Sequence, residues 1–299
     1  MPVRLGISPI GWSNDDLPKL GGATPLETCL AEARLAGFEG IELGNKFPRD
    51  PTVLRPILER LGLTLISGWY SGCLLERSVA DEMAAIEDHC ALLVAMGCGV
   101  LVYAETSGSI AGDRRRSLST RPRLAAGDWR DFGGRLTELA EHLSRRGIRL
   151  VYHHHTGTVV ESAAEIDRLM AATGDCVGLL LDTGHLAFAG ADPAAVARRY
   201  AHRIKHVHCK DLRRDVLARV RAADASFLDA VVDGVFTVPG DGCIDFDGVL
   251  AALAAGYRGW LVVEAEQDPA RAPPLVFARF GFAYLTAAVT RAGLSREER

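Results

Sequence analysis

Asp182 ends the apolar run "VGLLL", and packing alone gives no reason for a carboxylate there. A buried, unpaired charge costs several kcal/mol, so the position calls for a cation. Glu264, after "WLVV", poses the same problem. His153 and His208 lie at or near the ends of two further apolar runs, "IRLVYH" and "IKHVHC". Together the four offer two nitrogens and two oxygens, a set suited to Mn²⁺, Co²⁺, Zn²⁺ or Fe²⁺. The competing reading is a buried ion-pair network, His208 with Asp182 for example. It leaves carboxylates without cations, because Lys210 alone balances only one.

Side chains alternate along a strand, so His153 and His155 share a face while His154 turns to the other side. His206, His208 and Lys210 likewise share a face, and His206, the deepest, reads as a hydrogen-bonded core histidine. Glu42, Glu105, His185 and Glu266 add polar groups at or near the ends of other apolar runs.

These residues need elements that bring them to one place. Eight short apolar runs are read as strands: 3–8, 38–43, 63–68, 99–105, 148–153, 177–182, 204–209 and 259–266. Helix-periodic segments lie between them, among them 24–36, 78–96, 128–146, 162–172 and 192–200. Thr24-Pro25 is read as an N-cap with a first-turn proline, and Ser162 as another cap. The junctions "LAGFEGIEL", "RLGLTLISG", "AMGCGVLVYAE" and "RRGIRLVYH" repeat one form, a helix end, a glycine suited to a left-handed C-cap, then a strand. Eight such units predict an α/β fold, a single (β/α)₈ TIM barrel over residues 1–299, with long loops after strands 4 (106–127) and 7 (211–244). The second loop is read as an inserted helix or two covering the site. A doubly wound sheet is the alternative, but no G-x-G-x-x-G follows the first strand. In such barrels the active site lies where the strands end, which is where the polar residues cluster.

The 299 residues carry 34 Lys and Arg against 38 Asp and Glu, a net charge of −4 that gives no reason to expect nucleic acid. Arg114, Arg115, Arg116, Arg121 and Arg123 are read as a solvated loop. No apolar segment is long enough to span a membrane and no secretory signal opens the sequence, so a cytoplasmic location is expected. The seven cysteines are spread out and never form C-x-x-C, which argues against disulfides and a thiolate zinc site.

The segments "GFEGIEL", "LLLDTGH", "HVHCKD" and "VVEAEQDP" resemble those of the xylose-isomerase-like sugar isomerase/epimerase TIM barrels. Within that group "ISPIGWSNDDLPKLGG", "VYHHHTGTVV" and "VPGDGCIDF" are similar to the inosose dehydratases of inositol catabolism. The resemblance implies a metal-dependent hydro-lyase that converts 2-keto-myo-inositol (scyllo-inosose) to a trihydroxycyclohexane-dione and water through a metal-stabilised enediolate. It implies metal ligation by Asp182, His208 and Glu264, with Mn²⁺ or Co²⁺ favoured over Zn²⁺ or Fe²⁺. Where relatives carry a glutamate as first ligand, the register here gives His153, with His155 the alternative ligand. Lys210, His155 and His185 are the candidate catalytic acid and base. Glu42 and Glu266 are expected to accept hydrogen bonds from ring hydroxyls, or else to pair with Lys210 or an arginine. Glu105, Trp12, Asn14 and Asp15 are further candidate substrate contacts, although "SNDD" also fits a capping turn. The partner is a small cyclic polyol ketone. A homo-oligomer and a glutathione requirement, sometimes associated with this family, are not decided by the sequence. The rivals are a keto-sugar isomerase or epimerase on the same scaffold, a metal-dependent endonuclease and a non-catalytic binding barrel.

Overall fold

The computed structural model describes residues 2–254 and 256–296. Eight parallel strands form a closed barrel: β1 (Arg4–Ile7), β2 (Gly40–Leu43), β3 (Thr64–Gly72), β4 (Val100–Glu105), β5 (Arg149–His153), β6 (Gly178–Asp182), β7 (Ile204–Cys209) and, last in the chain, β10 (Trp260–Val263). Two short strands, β8 (Asp211–Leu212) and β9 (Phe236–Thr237), pair antiparallel outside the barrel. The helices are α1 (Leu26–Ala36), α2 (Pro51–Arg60), α3 (Val79–Ala95), α4 (Trp129–Arg145), α5 (Ala163–Ala172), α6 (Thr183–Phe188), α7 (Pro193–Tyr200), α8 (Arg214–Ala222), α9 (Phe227–Val232), α10 (Phe246–Leu253) and α11 (Pro274–Arg291).

Local chemistry accounts for most boundaries. The four repeated junction glycines, Gly37, Gly62, Gly97 and Gly147, all have positive φ and turn the chain from a helix end into the next strand. Ser162 caps α5 in a reciprocal capping box with Glu165. Thr24 does not cap α1: Pro25 takes the N-cap position, with no side-chain bond. Arg121 also departs from the solvated-loop reading. It is buried, pairs with Glu161 and Glu165, and ties the 106–127 loop to the turn before α5.

The strand pleat decides what reaches the barrel axis. Val102, Val151 and Leu180 form a buried apolar cluster within the strands. The next residues on the same faces toward the strand ends include His153 and Asp182. Asp182 lies opposite His208 in the β6–β7 register, and Val263 lies opposite Cys209, so Glu264 comes to the level of Lys210. The apolar floor sets the height of the polar layer above it.

Candidate active site

Four donor atoms converge where β5, β6, β7 and β10 end. His153 Nε2 lies 3.4 Å from Asp182 Oδ2, and His208 Nδ1 lies 3.4 Å from that same oxygen and 3.0 Å from Glu264 Oε2. All four are buried, and one donor atom from each falls within 4.8 Å of the others. Neighbouring ligands bound at ~2.0–2.2 Å to one ion stand roughly 3–3.5 Å apart, so the spacing suits a single divalent cation. Asp182 divides its oxygens between two tasks. Oδ1 caps α6 through the His185 amide at 2.8 Å, while Oδ2, like His208 Nδ1, is buried without a hydrogen-bond partner. Two such orphaned atoms facing one point are what a cation would satisfy.

Charge leads to the same place. Glu42, Asp182, Glu264 and Glu266 are all buried here, and among the described residues Lys210 is the one permanent cation that touches three of them. Burial opposes a charge on His208, but Glu264 and Glu42 outweigh it and hold its pKa well above the usual imidazole value. The cluster therefore draws positive charge toward the His208 Nδ1 position, where a divalent ion would supply it.

Among the described residues Glu42 pairs with histidines, not with Lys210 or an arginine. Its Oε1 accepts from His206 Nε2 at 2.9 Å, His208 Nε2 at 3.1 Å and the Ser67 hydroxyl at 2.6 Å. Because Glu42 takes the proton on Nε2, Nδ1 is the nitrogen that faces Asp182 and Glu264, and it would give its lone pair to a cation bound there in place of a proton. His206, the deep histidine, is hydrogen-bonded as expected, to this carboxylate.

Lys210 and His185, both fully buried, are not among the residues lining the cavity. The ammonium lies 2.8 Å from Glu264 Oε1, 2.8 Å from Glu266 Oε2 and 3.1 Å from His185 Nε2. Burial alone would lower its pKa, but Asp182, Glu264 and Glu266 together hold it above the ordinary lysine value. The same ammonium touches His185 and Glu266, two members of a second trio with metal-ligand chemistry whose third is His155. His155 does line the cavity. Its Nδ1 donates to the Thr156 carbonyl at 2.8 Å, leaving Nε2 unprotonated. Burial first, then His153 and Lys210, push its pKa down to about 3 and keep it neutral. Glu266 lines the cavity too, and burial raises its carboxyl to about 7 against the pull of Lys210. His154 turns out of the barrel, where its Nε2 accepts from the Asp182 amide at 3.3 Å.

Three expected substrate contacts lie elsewhere. Trp12 is buried in the core with its indole N–H on Glu32 at 2.7 Å. Asn14 closes a turn by accepting from the Asp16 and Leu17 amides at 2.9 and 2.8 Å. Glu105 faces outward on β4, where it accepts from the Leu74 and Ser107 amides and the Tyr103 hydroxyl. Asp15, expected beside them, does line the cavity of about 430 Å³, together with Asp16, Asn45, Arg49 and Trp69. Trp69 was hidden because β3 runs past Gly68, where the strand reading stops; the β-forming "WYS" that follows is the cue. Its ring meets His153 and His155 edge-on, with centroids 5.2 and 5.6 Å apart.

The family model described as "Xylose isomerase-like TIM barrel" matches residues 30–283. The chain belongs to this family. It is 52% identical over 294 residues to the rhizopine catabolism protein MocC of Rhizobium meliloti, covering 98% of this chain and 90% of that one. It is 47% identical over 279 residues to an inosose dehydratase of Geobacillus thermodenitrificans, covering 92% of this chain and 94% of that protein. Among solved structures, a probable 3-DHS dehydratase from Bacillus anthracis superposes with TM-score 0.69 at 13% identity, over 95% of this chain and 99% of that one. An L-ribulose 3-epimerase superposes with TM-score 0.66 at 18% identity, over 97% and 96%. At such identities these two show the shared barrel alone. Membership of the xylose isomerase-like family implies a small, sugar-like substrate, and no described helix is long and apolar enough to cross a membrane.

Proposed function

We propose that the protein is a metal-dependent hydro-lyase that removes water from 2-keto-myo-inositol, giving a trihydroxycyclohexane-dione. The observation that carries this reading is the convergence of His153, Asp182, His208 and Glu264 beneath a cavity whose wall holds a neutral histidine, His155, and a high-pKa carboxyl, Glu266. The relatives named inosose dehydratase support the substrate. A divalent ion held by the four donors, Mn²⁺ or Co²⁺ in our reading, would act as a Lewis acid toward the substrate ketone and acidify the adjacent C–H.

The chain's own groups do the rest. His155 Nε2 takes the proton from the carbon next to the ketone. Glu266 delivers a proton to the hydroxyl on the following carbon, which leaves as water as the C–O bond breaks. Ketonisation of the enol left behind gives the dione, so the net change is the loss of one water. Lys210 stays charged and holds Glu264 and Glu266 in register. Trp69 walls the ring, and Asp15, Asp16 and Asn45 receive its hydroxyls. We place the reaction in the cytoplasm, in keeping with seven free cysteines.

The test is to incubate metal-loaded protein with scyllo-inosose and follow the dione by ultraviolet absorbance and the mass loss of water. Turnover of a ketohexose with none of the inosose would replace the dehydratase by an epimerase. The 52% identity to MocC favours one second reading, a step in rhizopine catabolism, and the same assay with rhizopine checks it.

A further inference from the structure

Behind His155 stands a second wall, belonging to the segment inserted after β7. Phe227 on α9 meets the His155 ring at a 5.1 Å centroid distance and 64°, and lies nearly parallel to His185 at 5.9 Å and 26°. Phe236 on β9 meets His185 at 5.3 Å and sits 4.8 Å from the Lys210 ammonium. Neither phenylalanine is among the residues lining the cavity, and both are buried. They belong to a small core distinct from that of the barrel, made with Phe188, Leu212, Val216, Leu217, Val220 and Val231. The 106–127 loop fastens this unit from outside through the Arg114–Asp229 ion pair and the Ser119 amide on Asp224 at 2.9 Å.

His155 has one hydrogen bond on its ring, from Nδ1 to the Thr156 carbonyl. With the Cβ–Cγ bond, that one hydrogen bond sets the mean plane of the ring but leaves it room to rock. How far Nε2 can swing is then limited by the rings packed around it, Trp69 on the cavity side and Phe227 and His185 behind. We propose that Phe227 and Phe236 are positioning residues, which aim His155 into the cavity and hold the Lys210–His185 pair in a dry, fixed geometry. The inference rests on the reading of His155 as the proton-transfer group.

The test uses metal-loaded F227L, F227M and F236L, with steady-state kinetics on scyllo-inosose, metal content and ¹⁵N spectra of the histidine side chains. Expected for the Phe227 variants is a kcat lowered by about ten- to a hundredfold, the scale of a ~1 Å misplacement, with KM within about twofold and metal content unchanged. His155 and His185 should pass from one tautomer each to averaged signals. Where F227L does not fold, F227M decides, since methionine fills the volume without a flat face. A kcat within about twofold of wild type in all three variants, or a loss that only tracks lost metal, overturns the proposal. Should the wild type leave scyllo-inosose untouched, the dehydratase reading falls. The spectra need no substrate and still decide the positioning role: imidazole signals unchanged in every variant overturn it.

Discussion

Where β5, β6, β7 and β10 end, the side chains that meet are strand residues or follow a strand by one to three positions, and hydrogen bonds and charge fix them from behind. Asp182 is held by the His185 amide, His208 by Glu42, and Glu264 by Lys210. Where the loops after β1 and β2 form the rim, Asp15, Asp16, Asn45 and Arg49 reach the cavity from irregular chain. There Trp12 and Asn14 spend their polar atoms on local structure. In the function proposed above, the first region is the preorganised one that does the chemistry, and the second is a polar rim that adapts to a ring of hydroxyls. Substitutions on the strand side should therefore remove metal and turnover together, while those on the loop side should act on KM or on stability alone.

The sharpest way to break that contrast is Asp182→Asn. It removes the oxygen shared by His153, His208 and Lys210. Metal affinity should fall by more than about a hundredfold, beyond the 10–100-fold typical of supporting contacts, and turnover should go with it. Metal analysis and the dione assay after dialysis check this; a variant that keeps its metal would refute the donor set. Chelation of the wild type should abolish turnover, and added Mn²⁺ or Co²⁺ should restore it.

Lys210→Met comes next. It leaves Glu264 and Glu266 facing each other without the ammonium between them, and breaking a buried pair in this way costs about 3–5 kcal/mol. A fall of several degrees in the thermal midpoint is expected even with metal bound. A variant as stable as wild type would mean that the carboxylates share a proton.

These strand-borne residues are also the ones a reader of the sequence can place. A two-residue period and an apolar floor leave little freedom, so His153 against His154, or His206 beneath His208, follow from alternation. What alternation does not contain is the length of a strand beyond its apolar run, which hid Trp69, or the partner a polar atom chooses. Glu105 sits at a strand end like Asp182, but on the opposite face. The β3–α3 turn supplies it with the Leu74 amide, a contact between segments 31 residues apart. Trp12 was lost to Glu32, 20 residues on, in the same way. Loop residues are placed by such tertiary bonds, and a local pattern does not carry them.

Glu42→Gln tests the middle of the range. The amide can still accept one hydrogen bond, but it loses the charge that draws the protons of His206 and His208 onto Nε2. Metal affinity should fall by about 10–100-fold with little change in KM at saturating metal. A changed KM with unchanged metal affinity would return Glu42 to the role of hydroxyl acceptor.

The smallest effect is expected of Asn14→Ala, and it bears on the loop side. Asn14 Oδ1 accepts two backbone amides, so the substitution should lower stability by about 0.5–2 kcal/mol, as loss of a capping side chain does. The turn it closes carries Asp16 toward the cavity, but the Asn14 side chain is not among the lining residues. Denaturant midpoints should therefore shift while kcat and KM for the inosose stay within about twofold of wild type. Were KM to rise severalfold at unchanged stability, Asn14 would be touching substrate. The loop side would then share the preorganisation of the strand side, and the contrast between the two halves of the rim would fail.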